Sequence, residues 1–305
     1  MKHRKYWTRR SALQLGAALA VLPSTSFAGE KTMLTRRIPV SGEALPVIGL
    51  GTYQVFDVAS STEAIASRRE IVELMAEKGA SLLDSSPMYN RSENVVGDIV
   101  DAAGNRDKLF LATKVWTTGK ASGERQMNSS IERMRAGVMD LMQVHNLRDT
   151  DEHLATIRDW QAAGRIRYNG VTHYHAGGLR ELEAVMKRHK PEFIQINYSV
   201  VEREAGARVL PLAEELGIAV LVNRPFVQGR IFRAVGDLPL PEWAGEFAGS
   251  WGQLFLKFII SHPAVTCVIP GTSKLRHMAD NLGAGFGSLP DDATRQRIVD
   301  IFDAL

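Results

Sequence analysis

Short apolar runs alternate with longer amphipathic segments along most of the chain. The runs have the length of strands, whereas segments such as 67–80 and 205–217 repeat apolar residues at three- and four-residue spacing, which is typical of helices. Strands that alternate with helices predict parallel βαβ units. The apolar runs are PVIGLG (46–51), SLLDSS (81–86), LFLATKV (109–115), LMQVHN (141–146), IRYNGVTH (166–173), FIQINYS (193–199), IAVLVNRP (218–225) and TCVIPG (266–271).

Eight such runs with no change of pattern favour a closed barrel over an open sheet. We therefore predict an α/β protein in which residues 29–305 form a single (β/α)8 TIM barrel. Before the first run, the segment RRIPVSGEALPV (36–47) predicts a β-hairpin with its turn at 41–43, at the floor of the barrel. In such barrels the functional residues stand at the carboxyl ends of the strands.

Residues 1–28 have the pattern of an export signal. A basic head precedes an apolar run from Ala12 to Leu22 and a Ser-Phe-Ala sequence at 26–28. This run is too short for a bilayer core, which needs about 20 residues, so we expect no stable membrane anchor but a signal peptide cleaved after Ala28. The pair Arg9-Arg10 is the mark of twin-arginine export, which makes that machinery a partner and the periplasm the destination. The alternative is a general secretory signal with two neighbouring arginines.

The charge of the chain is concentrated in this segment. Hydrophobic residues make up 45% and charged residues 23% of the sequence, and the net charge is +3. Residues 1–28 hold five basic side chains and no acidic one, so subtracting five from +3 leaves −2 for the rest. A body of that charge without a basic run predicts no nucleic-acid partner. Cys267 is the sole cysteine, so no intramolecular disulfide can form, and its VTCVI surroundings predict a buried side chain.

Four residues of complementary chemistry fall at or after neighbouring strand ends. Asp84 follows the second apolar run with Tyr89 five positions later, and Lys114 and His145 stand near the ends of the third and fourth. Taken alone, a Lys or Asp at a strand end is usually a solvated rim charge and a lone His is more often structural than catalytic, but together the four residues form a chemical unit. A nearby ammonium lowers the pKa of a phenol, so Lys114 is expected to tune Tyr89 as a proton donor. Asp84 is expected to hold Lys114 charged, while His145 donates a hydrogen bond to a carbonyl oxygen.

The motifs around these residues resemble the aldo-keto reductase family. They are GLGTYQ, LLDSSPMYNRSE, LATKVW, QVHN, GVTHY, FIQINYS and IPGTSKLRHMADN, in order on the predicted strands between residues 37 and 290. The resemblance implies a barrel that binds NADPH without a Rossmann fingerprint and reduces aldehydes or ketones to alcohols. No G-x-G-x-x-G follows a strand in this chain. By the same resemblance Tyr89 is the general acid, Lys114 and Asp84 tune it, and His145 positions the carbonyl.

The resemblance also implies which residues hold the cofactor and the substrate. The nicotinamide amide is expected near the ends of the fifth and sixth strands, and the phosphates near 223–230 and 271–281, where barrels commonly place a phosphate site at a helix N-terminus. Tyr53 and Trp116 are expected to wall the substrate site. The predicted cofactor residues are Thr52, Thr172, His173, Gln195, Asn223, Arg224, Pro225, Phe226, Gln228, Gly229, Gly271, Thr272, Ser273, Lys274, His277 and Asn281.

Some positions depart from the best-known branch of that family. Gly271 and His277 stand where that branch has a lysine and an arginine. A preference for NADPH over NADH therefore rests on Lys274, Arg276 and Arg224, and NADH stays open as a cofactor. The tail after the last motif is short, which predicts an open substrate pocket.

Two other functions are alternatives to carbonyl reduction. A dinucleotide-bound redox sensor or regulatory partner is one alternative, since nothing outside the cytoplasm obviously regenerates NADPH. A barrel lyase or isomerase that uses Tyr89 and Lys114 as acid and base is the other. His173 and His175 would suit a metal pair, but no nearby carboxylate or cysteine completes a ligand set, so no metal is predicted.

Overall fold

The computed structural model describes residues 32–305, and the predicted signal peptide (1–28) lies outside the described residues. The strands of the described part are β1 Thr35–Arg37, β2 Ala44–Pro46, β3 Leu50–Gly51, β4 Leu82–Asp84, β5 Phe110–Val115, β6 Met139–Val144, β7 Ile166–Thr172, β8 Phe193–Asn197, β9 Ala219–Asn223 and β10 Val265–Val268. Its α-helices are α1 Thr62–Glu77, α2 Ser92–Ala103, α3 Lys120–Arg133, α4 Thr150–Ala162, α5 Leu179–His189, α6 Glu204–Leu216, α7 Arg230–Val235, α8 Trp251–Ile260, α9 Leu275–Gly283 and α10 Asp292–Asp303.

Strands β3 to β10 lie side by side in the order of the chain, and every neighbouring pair is parallel. The ring closes between residues 47–49 and Val268. The Gly49 amide donates to the Val268 carbonyl at 2.8 Å, and the Val268 amide donates to the Val47 carbonyl at 2.9 Å. Helices connect successive strands, as parallel pairing requires. The predicted (β/α)8 barrel is confirmed.

The predicted hairpin is present and covers the amino end of the barrel. Strands β1 and β2 pair antiparallel, and Gly42 takes a φ of +73° in the turn between them, a conformation that glycine adopts without steric cost. The hydroxyl of Tyr168, near the start of β7, lies 2.7 Å from Ser41 Oγ and 2.6 Å from the Glu43 carboxylate. With the floor covered in this way, the carboxyl end is the open end of the barrel.

The barrel strands pack against an apolar layer on each face. One layer lies inside the barrel, and the other lies between the strands and the helices. Because both faces of the strands are buried, the strands are continuous apolar runs in the sequence and do not alternate apolar with polar residues. In the described part of the chain, no helix combines the length and apolarity that crossing a membrane requires. The inner layer, which includes the predicted buried cysteine, is Ile38, Leu45, Leu82, Phe110, Ala112, Leu141, Tyr168, Phe193, Ala219, Leu221, Cys267 and Ile269.

A buried carboxylate anchors helix α2, which begins three residues after Tyr89. Glu93 is fully buried, and it accepts a hydrogen bond from Thr113 of β5 at 2.5 Å. The guanidinium of Arg133, at the end of α3, donates to the same carboxylate at 2.6 and 2.8 Å. A buried charge is tolerated only when it is paired and hydrogen-bonded, so these contacts fix where α2 can lie. The segment that carries Tyr89 is thereby tied to the strand that carries Lys114.

Gly97 marks the close approach of α2 to the end of α3. A Cβ at this position would lie 2.0 Å from the carbonyl oxygen of Arg133, a backbone atom that cannot rotate away. We expect Gly97→Ala to lower the free energy of unfolding by about 2 kcal/mol, because overpacking outweighs the better helix propensity of alanine. Urea unfolding followed by circular dichroism measures the change. Gly245→Ala, whose Cβ would meet nothing within 4 Å, is the control. Equal stability of the two variants would contradict this expectation.

Candidate active site

A cavity of about 1200 Å³ opens at the carboxyl ends of the barrel strands. Three of the four predicted catalytic residues, Asp84, Tyr89 and His145, line it, and the side chain of Lys114 is fully buried in its wall. Of the predicted cofactor residues, Ser273 and Lys274 are not among its lining. The other predicted cofactor and substrate residues line it: Thr52, Tyr53, Trp116, Thr172, His173, Gln195, Asn223, Arg224, Pro225, Phe226, Gln228, Gly229, Gly271, Thr272, His277 and Asn281.

Asp84 and Lys114 form a buried ion pair. Lys114 Nζ lies 2.6 Å from Asp84 Oδ2 and donates to the Ser85 carbonyl at 2.7 Å. The other carboxylate oxygen accepts hydrogen bonds from the side-chain amides of Gln143 at 3.1 Å and Gln195 at 2.9 Å. Burial works to lower the pKa of Lys114, but Asp84 and Tyr89 outweigh it, and the pKa is raised. Lys114 therefore carries its positive charge at neutral pH.

Tyr89 lies in the turn that follows β4. Its amide donates to the Ser86 carbonyl at 3.0 Å, and its ring centroid lies 5.1 Å from Lys114 Nζ. The sequence predicts a lowered pKa for this phenol, and that direction is wrong for the structure. Burial of the phenol raises the pKa of Tyr89 by more than the charge of Lys114 lowers it. Tyr89 consequently holds its proton at neutral pH, with a fixed positive charge close to its ring.

His145 follows the end of β6 directly and faces Tyr89 edge-on, with 6.1 Å between the ring centroids. Its Nδ1 lies 3.1 Å from the hydroxyl of Ser86. Burial of the ring, with a smaller contribution from the charge of Lys114, lowers the pKa of His145 to about 3. The imidazole is therefore neutral through the physiological range, and one of its nitrogens carries a hydrogen that can be donated.

The ends of β7, β8 and β9 form the wall where the nicotinamide amide is predicted. Asn223 donates to the His173 carbonyl at 3.0 Å and to Gln195 Oε1 at 3.3 Å. Thr172 Oγ1 accepts from the Asn146 amide at 3.2 Å. Asn223 Oδ1 is buried and has no hydrogen-bond partner among the described residues. An orphaned polar atom in a cavity wall is a contact that a polar ligand satisfies, so this wall fits an amide-bearing group.

The loops after β9 and β10 form the part of the cavity predicted to hold phosphates. Arg224 takes a φ of +53°, its Nε is buried without a partner among the described residues, and its guanidinium lies 3.6 Å from the Glu202 carboxylate. After β10, Thr272 Oγ1 accepts from the Lys274 amide at 3.1 Å. Helix α9 begins at Leu275, and Lys274 is its N-cap residue. The incompletely paired guanidinium fits a phosphate.

The cavity lining also includes residues that the sequence analysis does not predict. Asn146 and Tyr174 stand in the motifs QVHN and GVTHY, directly after predicted residues, so their positions could have been read from the sequence. Trp251 at the start of α8 comes from a segment that follows no strand, and no pattern in the sequence points to it. The amides of Gln143 and Gln195 on Asp84 lie on strands remote from it in the chain, so their pairing emerges only from the closed barrel.

The rings of His173 and His175, which would suit a metal pair, are in contact. The ring centroids of His173 and His175 lie 4.4 Å apart. Among residues 32–305, no group of three or more histidine, cysteine, aspartate or glutamate side chains is arranged to hold a metal ion. Burial lowers the pKa of His173, with His175 as the next cause. The two rings pack edge to face, and both also pack against the Tyr174 ring.

Comparison with known proteins places this geometry in a family. The sequence profile of the Aldo/keto reductase family matches residues 47–297. That range includes Asp84, Tyr89, Lys114 and His145. It also includes both segments that are predicted to hold the phosphates. The chain belongs to the aldo/keto reductase family and is an oxidoreductase.

Individual relatives cover most of the chain. Methylglyoxal reductase YeaE of Escherichia coli K12 is 27% identical over 259 residues, which span 82% of this chain and 89% of that protein. The holo form of aldo-keto reductase AKR11C1 from Bacillus halodurans has a TM-score of 0.71 at 23% identity, covering 88% of this chain and 96% of that one. An aldo/keto reductase from Klebsiella pneumoniae in complex with NADP and acetate has a TM-score of 0.67 at 24% identity, covering 86% and 93%. These two structures share the barrel fold with this chain.

The burial of His145 predicts how stability depends on pH. Its pKa falls from 6.5 in the unfolded chain to about 3 in the folded one, so between these values the unfolded chain binds the additional proton. The contribution of His145 to the free energy of unfolding is therefore fully present above about pH 6.5. It is lost as the pH falls, by about 1 kcal/mol per pH unit near pH 5. Urea unfolding at pH 7, 6 and 5 measures this slope, and His145→Asn should reduce it by that amount. An identical pH dependence in both proteins would count against the buried neutral imidazole.

Proposed function

We propose that this chain uses NADPH to reduce the carbonyl group of an aldehyde or ketone to an alcohol. The observation that carries the proposal is one cavity that presents a protonated phenol and a neutral imidazole above a buried ammonium. Tyr89 keeps its proton because burial raises its pKa, and His145 is uncharged because burial lowers its pKa. Both groups are thus hydrogen donors at neutral pH, as a carbonyl oxygen that gains negative charge requires.

The residues of the cavity wall fit a nicotinamide dinucleotide. Thr172, His173, Gln195 and Asn223 would hold its amide end, where Asn223 Oδ1 lacks a partner. The segments 224–229 and 271–281 would hold its phosphates, through backbone amides, hydroxyls and the Arg224 guanidinium. When bound, the reduced cofactor supplies the hydride that the carbonyl carbon accepts.

The protein's own task is to hold the carbonyl and supply a proton. His145 donates a hydrogen bond to the carbonyl oxygen, which fixes its orientation and polarises the bond. Tyr89 transfers its hydroxyl proton to that oxygen, which leaves a phenolate on the enzyme. The charge of Lys114 stabilises this phenolate from 5.1 Å away, measured to the ring centroid, and Asp84 keeps Lys114 charged. Reprotonation of Tyr89 from solvent restores the starting state.

The choice of NADPH over NADH is part of the proposal. The Klebsiella pneumoniae relative was solved with NADP, and cationic residues of this chain lie within the segment 271–281, which is predicted to hold phosphates. Lys274 and Arg276 are exposed next to His277, which lines the cavity. A 2′-phosphate would gain charge-assisted hydrogen bonds there that NADH cannot make.

The substrate side of the cavity is open and aromatic. Tyr53 is 53% exposed and Met88 41% exposed at its mouth, and Trp116 is partly buried beside them. The Tyr53 ring lies 4.9 Å from the Tyr89 ring, between centroids. A mouth with this lining accepts small carbonyl compounds of varied shape and favours apolar or aromatic ones.

Replacement of the phenol tests the proposed reaction. We expect Tyr89→Phe to lower kcat for aldehyde reduction by about 10²- to 10⁴-fold, because general acid catalysis contributes that much. NADPH oxidation at 340 nm with a panel of aldehydes, ketones and quinones measures it, and fluorescence titration confirms that NADPH still binds. Tyr168→Phe makes the same change at the opposite end of the barrel and should keep its activity. Tight NADPH binding without turnover in either protein would instead support a dinucleotide-bound sensor.

We also propose that the chain is exported in folded form by the twin-arginine route. Support comes from Arg9-Arg10 before an apolar run, ahead of a domain whose fold accommodates a dinucleotide. Export after folding would let the barrel bind its cofactor in the cytoplasm and carry it out.

Fractionation of a bacterial host tests this route. The wild-type chain should appear in the periplasm with an N-terminus at Gly29, and it should stay in the cytoplasm of a strain without the twin-arginine translocase. Replacing Arg9 and Arg10 with lysine should have the same effect as that strain. Continued export of the lysine variant in both strains would indicate the general secretory route.

A further inference from the structure

Ser86 links the turn that carries Tyr89 to the imidazole of His145. Its side chain is fully buried, and its Oγ lies 3.1 Å from His145 Nδ1. Its backbone carbonyl accepts from the Tyr89 amide at 3.0 Å, so the same residue holds both groups that face the carbonyl oxygen. The reaction described above gives no task to its hydroxyl.

The surroundings of Ser86 decide the direction of its hydrogen bond to the imidazole. Its Oγ already accepts a hydrogen bond from the Met88 amide at 3.2 Å. In the described part of the chain, His145 Nδ1 is the acceptor within hydrogen-bond distance of that hydroxyl. If Nδ1 carried the hydrogen instead, the Ser86 hydroxyl proton would be buried without an acceptor, which is costly. Donation from Ser86 to Nδ1 leaves neither the hydroxyl proton nor Nδ1 without a partner.

This direction determines which tautomer His145 adopts. A neutral imidazole has one N–H donor and one acceptor nitrogen, so an Nδ1 that accepts leaves the hydrogen on Nε2. No described residue forms a hydrogen bond with Nε2, and the ring lines the cavity. The other tautomer would present a lone pair to the carbonyl oxygen and repel it.

We propose that Ser86 is a positioning residue that fixes His145 as the Nε2–H tautomer, so that Nε2–H is the donor to the substrate carbonyl. What Nε2–H does in the reaction rests on the proposed function, whereas the tautomer itself does not. The lowered pKa of His145 supports the proposal, because a charged imidazole would have no tautomer to select. The neighbouring Ser85 hydroxyl is paired elsewhere: it lies 2.9 Å from Thr52 Oγ1, and in the described part of the chain the hydroxyl that contacts His145 Nδ1 is that of Ser86.

Nitrogen chemical shifts of the histidine rings test the tautomer directly. The full chain is labelled with ¹⁵N-histidine, and the His145 signals are assigned by their loss in His145→Asn. Wild type should show a protonated Nε2 and an unprotonated Nδ1. Ser86→Ala should shift both signals toward a mixture of tautomers, and Ser86→Thr, which keeps a hydroxyl, should restore them. Ser85→Ala is the matched control and should leave the His145 signals unchanged.

Kinetics test whether the tautomer matters to the reaction. Ser86→Ala should lower kcat/KM for an aldehyde by about tenfold, because the hydrogen bond from His145 to the carbonyl oxygen is weakened. The Kd of NADPH should stay the same. Ser86→Thr should recover most of that loss. In the His145→Asn background the Ser86→Ala change should cost nothing further, since its effect passes through the imidazole. A merely structural role would lower stability in both backgrounds and leave the ring signals alone.

The outcomes separate this inference from the proposed function. A wild-type ring with its hydrogen on Nδ1, or Ser86→Ala with unchanged ring signals and kcat/KM, would overturn the positioning role while carbonyl reduction stands. A wild-type protein that binds NADPH and reduces no carbonyl, with ring signals that still depend on Ser86, would remove the proposed function and leave the tautomer assignment in place.

Discussion

The buried ion pair of Asp84 and Lys114 is the constraint on which the site depends. Two charges this deep are tolerated only if each finds its opposite and further hydrogen bonds satisfy what remains. Here the remaining bonds come from Gln143 on β6 and Gln195 on β8, while the pair itself joins β4 to β5. Side chains from four strands are therefore linked through one carboxylate. The positions of the reactive groups are fixed by the positions of these strands in the barrel.

Burial then sets the protonation of the two groups that face the cavity. It favours the neutral form of any acid or base, so it pushes the pKa of Tyr89 up and that of His145 down. The same physical effect therefore keeps the hydroxyl of one residue protonated and the ring of the other uncharged. The ammonium of Lys114 opposes the first shift and reinforces the second. The site is prepared to donate hydrogens before any substrate arrives.

Much of the fold and the membership of the site follow from the sequence. Parallel strands buried on both faces appear in the sequence as apolar runs. Polar residues at the ends of these strands lie at one rim of the barrel, so the sequence points to Asp84, Lys114 and His145. The sequence predicts a lowered pKa for Tyr89, and this direction is wrong, because a sequence shows the neighbouring charges but not the depth of burial. The sequence does not point to Trp251, because this residue follows no strand, and the contact of Ser86 with His145 Nδ1 depends on the tertiary structure. The roles of these residues and the export signal stay predictions.

The closure of the barrel has a consequence for how the chain is made. Ile48 and Val268, which meet where the ring closes, are separated by 220 positions in the sequence. During synthesis from the amino terminus, β3 must wait with an unpaired edge until nearly nine-tenths of the chain has left the ribosome. Exposed strand edges invite pairing with other chains, and distant contacts form slowly. The nascent protein is thus most prone to aggregation before β10 emerges. We expect the yield of folded protein to depend on chaperones that bind the chain during this interval.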